Sequence, residues 1–338
     1  MTQRAATLRS PALSVAMSVF NGERFLRPAI ESVLAQGFAD FEFLILDDGS
    51  RDSSVAIARE YERRDSRVRV IERENRGLVA SLNQLLAESR APIVARMDAD
   101  DICMPDRFAK QMAFLADNPD YGVVGSWSRD IDVDGQPMQV EGVDHPVTHE
   151  DLLQAIETGG QLLCHPSVMY RRDIVLDVGS YHAAFRHCED FDLWLRLASR
   201  TRMGNLPERL LNYRRSPDQV SIRHATEQQV GTAISRLAYE ERKAGRPDPT
   251  ESLHTLPSID ELDALFGREG VSRAVRERVA MMLRYSRDAM QSEGFELVMG
   301  HLRDGGAREG MWRTVLRLLR FGQPVRAARL ASRLAFGA

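Results

Sequence analysis

Asp98 and Asp100, one residue apart and followed at once by Asp101, close the short apolar run Ile93-Val94-Ala95-Arg96-Met97. Crowded carboxylates repel and raise one another's pKa unless a cation sits among them, so this pattern asks for a hard divalent ion. A second acid cluster, Asp47-Asp48-Gly49-Ser50-Arg51-Asp52, closes the run Phe41 to Leu46. Glu189 and Asp190 open a stretch whose Phe191, Trp194, Leu195 and Ala198 keep helical spacing. A carboxylate there either meets the helix dipole as a cap or is a rigidly held general base, and the residues alone leave the two readings level. Plainer readings stand beside the others as well. Asp-Gly is a common turn, a loop Arg is commonly solvated, and Asp101 or Asp106 can cap the helix expected from Pro105 to Leu115. His165 reads equally as a satisfied core histidine or as a ligand.

These residues must be positioned by a strand-and-helix alternation. Leu13 to Phe20, Phe41 to Leu46, Val68 to Ile71 and the run ending at Asp98 read as buried strands, each followed by a helical pattern. Such an alternation predicts a doubly wound sheet with ligands at the carboxyl ends of its strands. Asn21, Asp47, Asp48, Arg76, Asp98 and Asp100 all fall at such ends, so the simplest geometry lets them converge. Pro28 is expected early in the first helix, Ile131 to Val140 as a hairpin around Asp134-Gly135, and Leu206 to Tyr213 as a further strand. From about Ala225 strands disappear and helices follow.

Composition bounds the rest. The 338 residues can hold a full core and an appendage, and a formal net charge of -4 argues against a general nucleic-acid binder. Cys103, Cys164 and Cys188 share no metal or disulfide spacing and read as free thiols in a reducing compartment. Arg4 and Arg9 are not followed by a signal-type apolar segment, and no run is long enough to span a membrane, so a cytoplasmic place is expected. The segment Met311 to Phe336 alternates arginines with Trp312, Leu316, Leu319 and other apolar residues. It reads either as a helix on its own domain or as a basic amphipathic surface against a membrane.

With these residues in view, the chain resembles the bacterial family 2 glycosyltransferases of the GT-A fold, which build surface polysaccharides and lipopolysaccharides from nucleotide-sugars. The resemblance runs from about Leu13 to Ser221. It rests on Ser18-Val19-Phe20-Asn21-Gly22, the Asp47 to Asp52 cluster, Arg96-Met97-Asp98-Ala99-Asp100-Asp101, Pro105-Asp106-Arg107-Phe108, His165-Pro166-Ser167-Val168 and Glu189-Asp190-Phe191-Asp192-Leu193-Trp194. It implies an α/β fold with a doubly wound, mixed and mostly parallel sheet over residues 1–222. A helical C-terminal extension over 223–338 is left to acceptor, partner or membrane contact.

The resemblance also implies roles. Val19 and Asn21 would lie on the donor site, and Asp48 with Asp47 beside it would accept a hydrogen bond from uracil. Arg76 would approach the base or diphosphate. Asp98 would hold the ribose or the metal's water shell, and Asp100 would ligate Mn2+ or Mg2+. Asp190, with Glu189 as neighbour, matches the general base of an inverting transfer from a UDP-sugar to a saccharide or lipid-linked saccharide. Two departures stand out. Tyr213-Arg214-Arg215-Ser216 lacks the histidine many relatives carry at the last position, with His224 near but out of register, and no Gln-x-x-Arg-Trp motif marks a processive synthase. The alternatives are a catalytically idle nucleotide-sugar binding or assembly subunit and a sugar nucleotidyltransferase. The latter needs a Gly-rich phosphate loop, of which Asn21-Gly22-Glu23-Arg24 is a poor version.

Overall fold

A computed structural model describes residues 10–140, 142–216 and 224–337. The sequence features at Arg4 and Arg9 and the expected boundary at 222/223 lie outside the described residues. Two compact units are present: residues 10–182 with Leu193–Ser216, and Ala183–Asp192 with residues 224–337.

The first unit runs β1 (Leu13–Val19), α1 (Glu23–Leu34), β2 (Phe41–Asp47), α2 (Ser54–Arg64), β3 (Val68–Glu72), α3 (Leu78–Glu88), β4 (Ile93–Asp98), β5 (Ile102–Cys103), α4 (Arg107–Asp117), β6 (Tyr121–Ile131), α5 (His149–Thr158), β7 (Met169–Arg171) and α6 (Arg172–Asp177). Helix α7 (Glu189–Leu197) follows, its first turn counted with the second unit, and then β8 (Arg202–Arg214). The sheet order is β3-β2-β1-β4-β7-β6-β8-β5. Strands β3, β2, β1 and β4 are parallel, whereas β7 pairs antiparallel with both β4 and β6. The fold is thus the expected mixed α/β sheet.

Central position explains the apolar runs. Strand β1 has neighbours on both edges and helices over both faces, so Leu13, Val15, Met17 and Val19 are all buried. Burying each such side chain contributes roughly 1.5–3 kcal/mol, which overrides weak local preferences. Pro28 shows this: it is the sixth residue of α1, further in than its missing N–H would favour, yet Ala29 and Ile30 beside it are fully buried. Arg107, also fully buried, donates to the carbonyls of Arg96 and Val168 and so ties the end of β4 to the segment before β7.

Three expectations are corrected. The segment after β6 makes a turn and one antiparallel bridge, Ile131 to Pro137, and no second strand, because Gly135 closes a loop held by the Asp132 side chain. Strand β8 starts at Arg202, ahead of the expected Leu206, because pairing with β6 extends back through Met203, Gly204 and Asn205. Helix α4 starts at Arg107, since Ile102 and Cys103 are drawn into pairing with β8.

The second unit is helical beyond its opening segment: α8 (Ala225–Lys243), α9 (Leu262–Phe266), α10 (Val271–Leu283), α11 (Arg287–Gln291), α12 (Glu293–Arg303), α13 (Met311–Arg320) and α14 (Pro324–Phe336). One core joins Phe185 and Cys188 to Ile234, Leu262, Val275 and Val279, and a second joins Phe295 and Val298 to Met311, Leu318 and Leu330.

Candidate active site

Strand register brings the acids of the first unit level. Val19 is paired with Asp47 and Ser18 with Asp98, so β1, β2 and β4 end in one row. Beyond that row Asp98, Asp100 and Asp101 each offer an oxygen, all within 4.8 Å of one another. Two arginines hold the group. Arg96, only 4% exposed, donates to both Asp98 oxygens at 2.6 and 2.5 Å. The Arg214 N–H donates to Asp101 Oδ1 at 2.8 Å and its Nε to the Asp100 carbonyl at 2.7 Å, with the guanidinium 4.4 Å from the Phe25 ring centre.

Electrostatics follow from this crowding. Burial first, and the charge of Asp98 second, push Asp100 up to about 6. Asp101 is pushed well above the carboxylate range by burial and by both neighbours, and its Oδ2 is buried with no hydrogen bond among the described residues. Three hard oxygen donors, two of them made harder to ionise by burial and repulsion, form a set that Mn2+ or Mg2+ relieves, so the residues fit such an ion. Asp101 is therefore no helix cap, and Asp106, at the cap position of α4, makes no side-chain cap bond.

A second cluster sits at the end of β2. Asp48 Oδ1 accepts from Arg73 Nε at 2.8 Å and from the Arg76 N–H at 3.0 Å, while Oδ2 accepts from the Gly77 N–H at 2.8 Å. Asp47 Oδ1 accepts from the N–H groups of Gly49 and Ser50, and its Oδ2 is buried without a hydrogen bond among the described residues. Gly49, at φ 82°, is required here, because an added Cβ would lie 2.7 Å from the Asn75 nitrogen. Val19 is buried and its carbonyl accepts from the Asp48 N–H, whereas the Arg76 side chain is exposed.

Asn21 belongs to a clasp between the first two strand-end loops. Its Oδ1 accepts from the Arg51 N–H, its own N–H donates to Ser50 Oγ, and the Gly22 and Glu23 N–H groups donate to Ser54 and Asp52. The clasp satisfies the otherwise orphaned N–H groups at the start of α1.

Glu189 and Asp190 lie in the second unit, in the first turn of α7, with Glu189 buried and Asp190 half-buried. With Asp192 they place three carboxylates where the dipole favours them, and burial together with these charges raises the Cys188 thiol well above its ordinary value. His165, in the first unit, meets the Tyr181 hydroxyl at 2.9 Å and is buried, which makes it a satisfied core histidine.

Sequence reasoning passed over Arg73, Arg96, Arg214 and the ligand role open to Asp101. It also passed over His187 and Glu227, whose donor atoms lie within 4.8 Å of each other and of His224, the histidine noted as out of register. The two imidazoles stack at 3.9 Å and 13°, so their in-plane lone pairs run side by side and do not converge on one point.

Comparison with known proteins adds an independent line. The family described as "Glycosyl transferase family 2" matches residues 14–179. The chain is 35% identical over 222 residues to the putative glycosyltransferase EpsE of Bacillus subtilis, covering 64% of this chain and 77% of that one. It is 32% identical over 206 residues to the O-antigen biosynthesis glycosyltransferase WbnJ of Escherichia coli, covering 60% and 79%. Among solved structures it is similar to Staphylococcus aureus TarS 1-349 in complex with UDP-GlcNAc, with a TM-score of 0.56 at 16% identity over 96% of this chain and 92% of that one.

Proposed function

The chain belongs to the family 2 glycosyltransferases, and from that premise we propose an inverting, metal-dependent transfer of one sugar from a UDP-sugar to a saccharide or lipid-linked saccharide. The observation that carries this reading is the acid trio Asp98, Asp100 and Asp101, gathered within 4.8 Å and braced by Arg96 and Arg214. Those three would hold Mn2+ or Mg2+, and the ion supplies positive charge beside a departing diphosphate. The name of TarS, solved with UDP-GlcNAc, and that of WbnJ support a UDP-linked donor and a surface-polysaccharide product.

The chain's own residues divide the remaining work. The base N–H expected to meet Asp48 falls to Asp47 instead, because both Asp48 oxygens already accept from Arg73, Arg76 and Gly77 while Asp47 keeps an acceptor oxygen, and a carboxylate makes that hydrogen bond charge-assisted. Asp48 shapes the same rim through Arg73 and the N–H groups of Arg76 and Gly77, with the Arg76 side chain open to the base or diphosphate. Asp190, with Glu189 beside it, takes the proton of the acceptor hydroxyl. The hydroxyl oxygen bonds to the anomeric carbon as the bond from that carbon to the diphosphate oxygen breaks, so the configuration inverts.

We place the protein at the cytoplasmic face of a membrane, where lipid-linked acceptors are met. No helix among the described residues is long and apolar enough to cross one. A thermal-shift screen of UDP-, GDP- and dTDP-sugars with and without Mn2+ tests the proposal. The largest shift is expected from a UDP-sugar with Mn2+, and a screen without any Mn2+-dependent shift would end it.

A further inference from the structure

Helix α13 leaves an apolar stripe in solvent. Trp312, Leu316 and Leu319 are 56, 60 and 50% exposed, although Met311, Thr314, Val315 and Leu318 on the adjoining face are buried in their own unit. At 100° per residue the three fall within an arc of about 60°, and Arg313 and Arg320 stand about 80–100° round from Trp312 on one flank. Neither of these arginines has a side-chain partner among the described residues. Arg317 is different: it stands beyond that flank, donates to the Arg284 carbonyl and lies 4.4 Å over Tyr285, itself 60% exposed.

Charge selects what covers this face. From Met311 to Phe336 the chain carries six arginines and no Asp or Glu, within a protein whose net charge is -4. Part of that charge is spent internally, since Arg326 donates to the Met290 and Ser292 carbonyls and Arg329 pairs with Glu296. Arg313 and Arg320 remain available beside the apolar stripe. Two copies of a segment with this sign repel, which disfavours self-association through it. A nucleic acid would use the arginines but leave Leu316 and Leu319 in water.

We propose that the α13 face is a docking surface for an anionic lipid bilayer, lying in the headgroup region with Trp312, Leu316 and Leu319 in the acyl boundary. An amphipathic helix of this kind sinks its apolar side about 5–10 Å, and juxtaposed arginines are drawn to the negative surface. Trp and Tyr suit that depth, being apolar in body and polar at one edge. The surface gives a physical means for the membrane placement made above and rests on that part of the reading. It does not rest on the transfer reaction.

Flotation of the full chain with vesicles tests this without donor or acceptor. Vesicles of phosphatidylcholine with about a third phosphatidylglycerol are expected to carry the protein, and pure phosphatidylcholine at least tenfold less, with the difference shrinking at high salt. The triple variant Trp312→Ser/Leu316→Ser/Leu319→Ser is expected to lose partitioning more than tenfold, and Arg313→Gln/Arg320→Gln severalfold. All five residues are exposed, so melting temperature and UDP-sugar turnover with a soluble acceptor are expected to stay at wild-type values. Equal partitioning of wild type and triple variant, or none by the wild type, would overturn the proposal. So would a vesicle-free dimer in sedimentation that the triple variant abolishes, since the occupant would then be a second copy. Flotation that succeeds while UDP-sugar turnover is absent would count against the transferase reading alone.

Discussion

Arg96 and Asp98, two residues apart at the end of β4, close on each other through two contacts of 2.6 and 2.5 Å, with the arginine buried and the aspartate partly open. The pair fixes the first acid of the trio and compensates its charge. Asp101 is held instead by the Arg214 N–H, and among the described residues neither it nor Asp100 has an arginine closed on both carboxylate oxygens.

Removing Arg96 tests that role. Arg96→Met leaves Asp98 uncompensated, and because Asp98 is about a third exposed the expected loss is about 1–3 kcal/mol, below the range for a fully buried pair. Urea unfolding measures it. Adding Asp98→Asn should recover part of the loss, and an additive double variant would show that the two residues do not communicate.

Asp47 and Asp48 should separate by experiment. Asp48 and Arg73 form a buried pair, 3 and 10% exposed, so Arg73→Met is expected to cost about 3–5 kcal/mol in urea unfolding. Asp47→Asn should change stability far less, yet weaken UDP binding about tenfold in calorimetry, or about 1.4 kcal/mol. Reversed outcomes would exchange the two roles.

The positions of these acids were legible in the sequence, but their partners were not. Apolar runs that stop at Asp47 and Asp98 announce strand ends, and parallel pairing sets those ends level whatever the side chains are. Arg73, Arg96 and Arg214 are long side chains whose partners depend on where tertiary packing carries them, and Arg96 reads as an interruption in an apolar strand. Asp101 is bound by the backbone of Arg214, more than a hundred residues later, so no local spacing could reveal it. The early start of β8, through Gly204 and Asn205, and the position of Pro28 were hidden for a related reason: sheet pairing and burial outweigh local preference there.

The chain without divalent ions should lose stability as pH rises. Asp100 is raised to about 6, so its contribution is fully present below the ordinary aspartate range and is lost as pH climbs through 6. In EDTA, wild type should therefore melt lower at pH 7.5 than at pH 5 relative to Asp100→Asn, whose difference lacks this part. Added Mn2+ should reverse the trend, because ligation needs the ionised carboxylate, and the Mn2+-induced rise should be larger at pH 7.5. Parallel pH profiles for the two proteins would contradict the assignment.

Asp190→Asn separates binding from chemistry. The variant should bind UDP with Mn2+ as wild type does and lose transfer by a factor of at least 100, the usual scale for a positioned general base. Glu189→Gln is expected to lose less. Equal turnover by wild type and Asp190→Asn would remove the base assignment.

Calorimetric titration of UDP into wild type and Asp100→Asn, each with and without Mn2+, tests the ion-gripping acid trio most directly. Wild type should bind at least tenfold more tightly with Mn2+, and Asp100→Asn should show no such gain. UDP affinity that is the same in all four titrations would contradict a cation held by Asp98, Asp100 and Asp101.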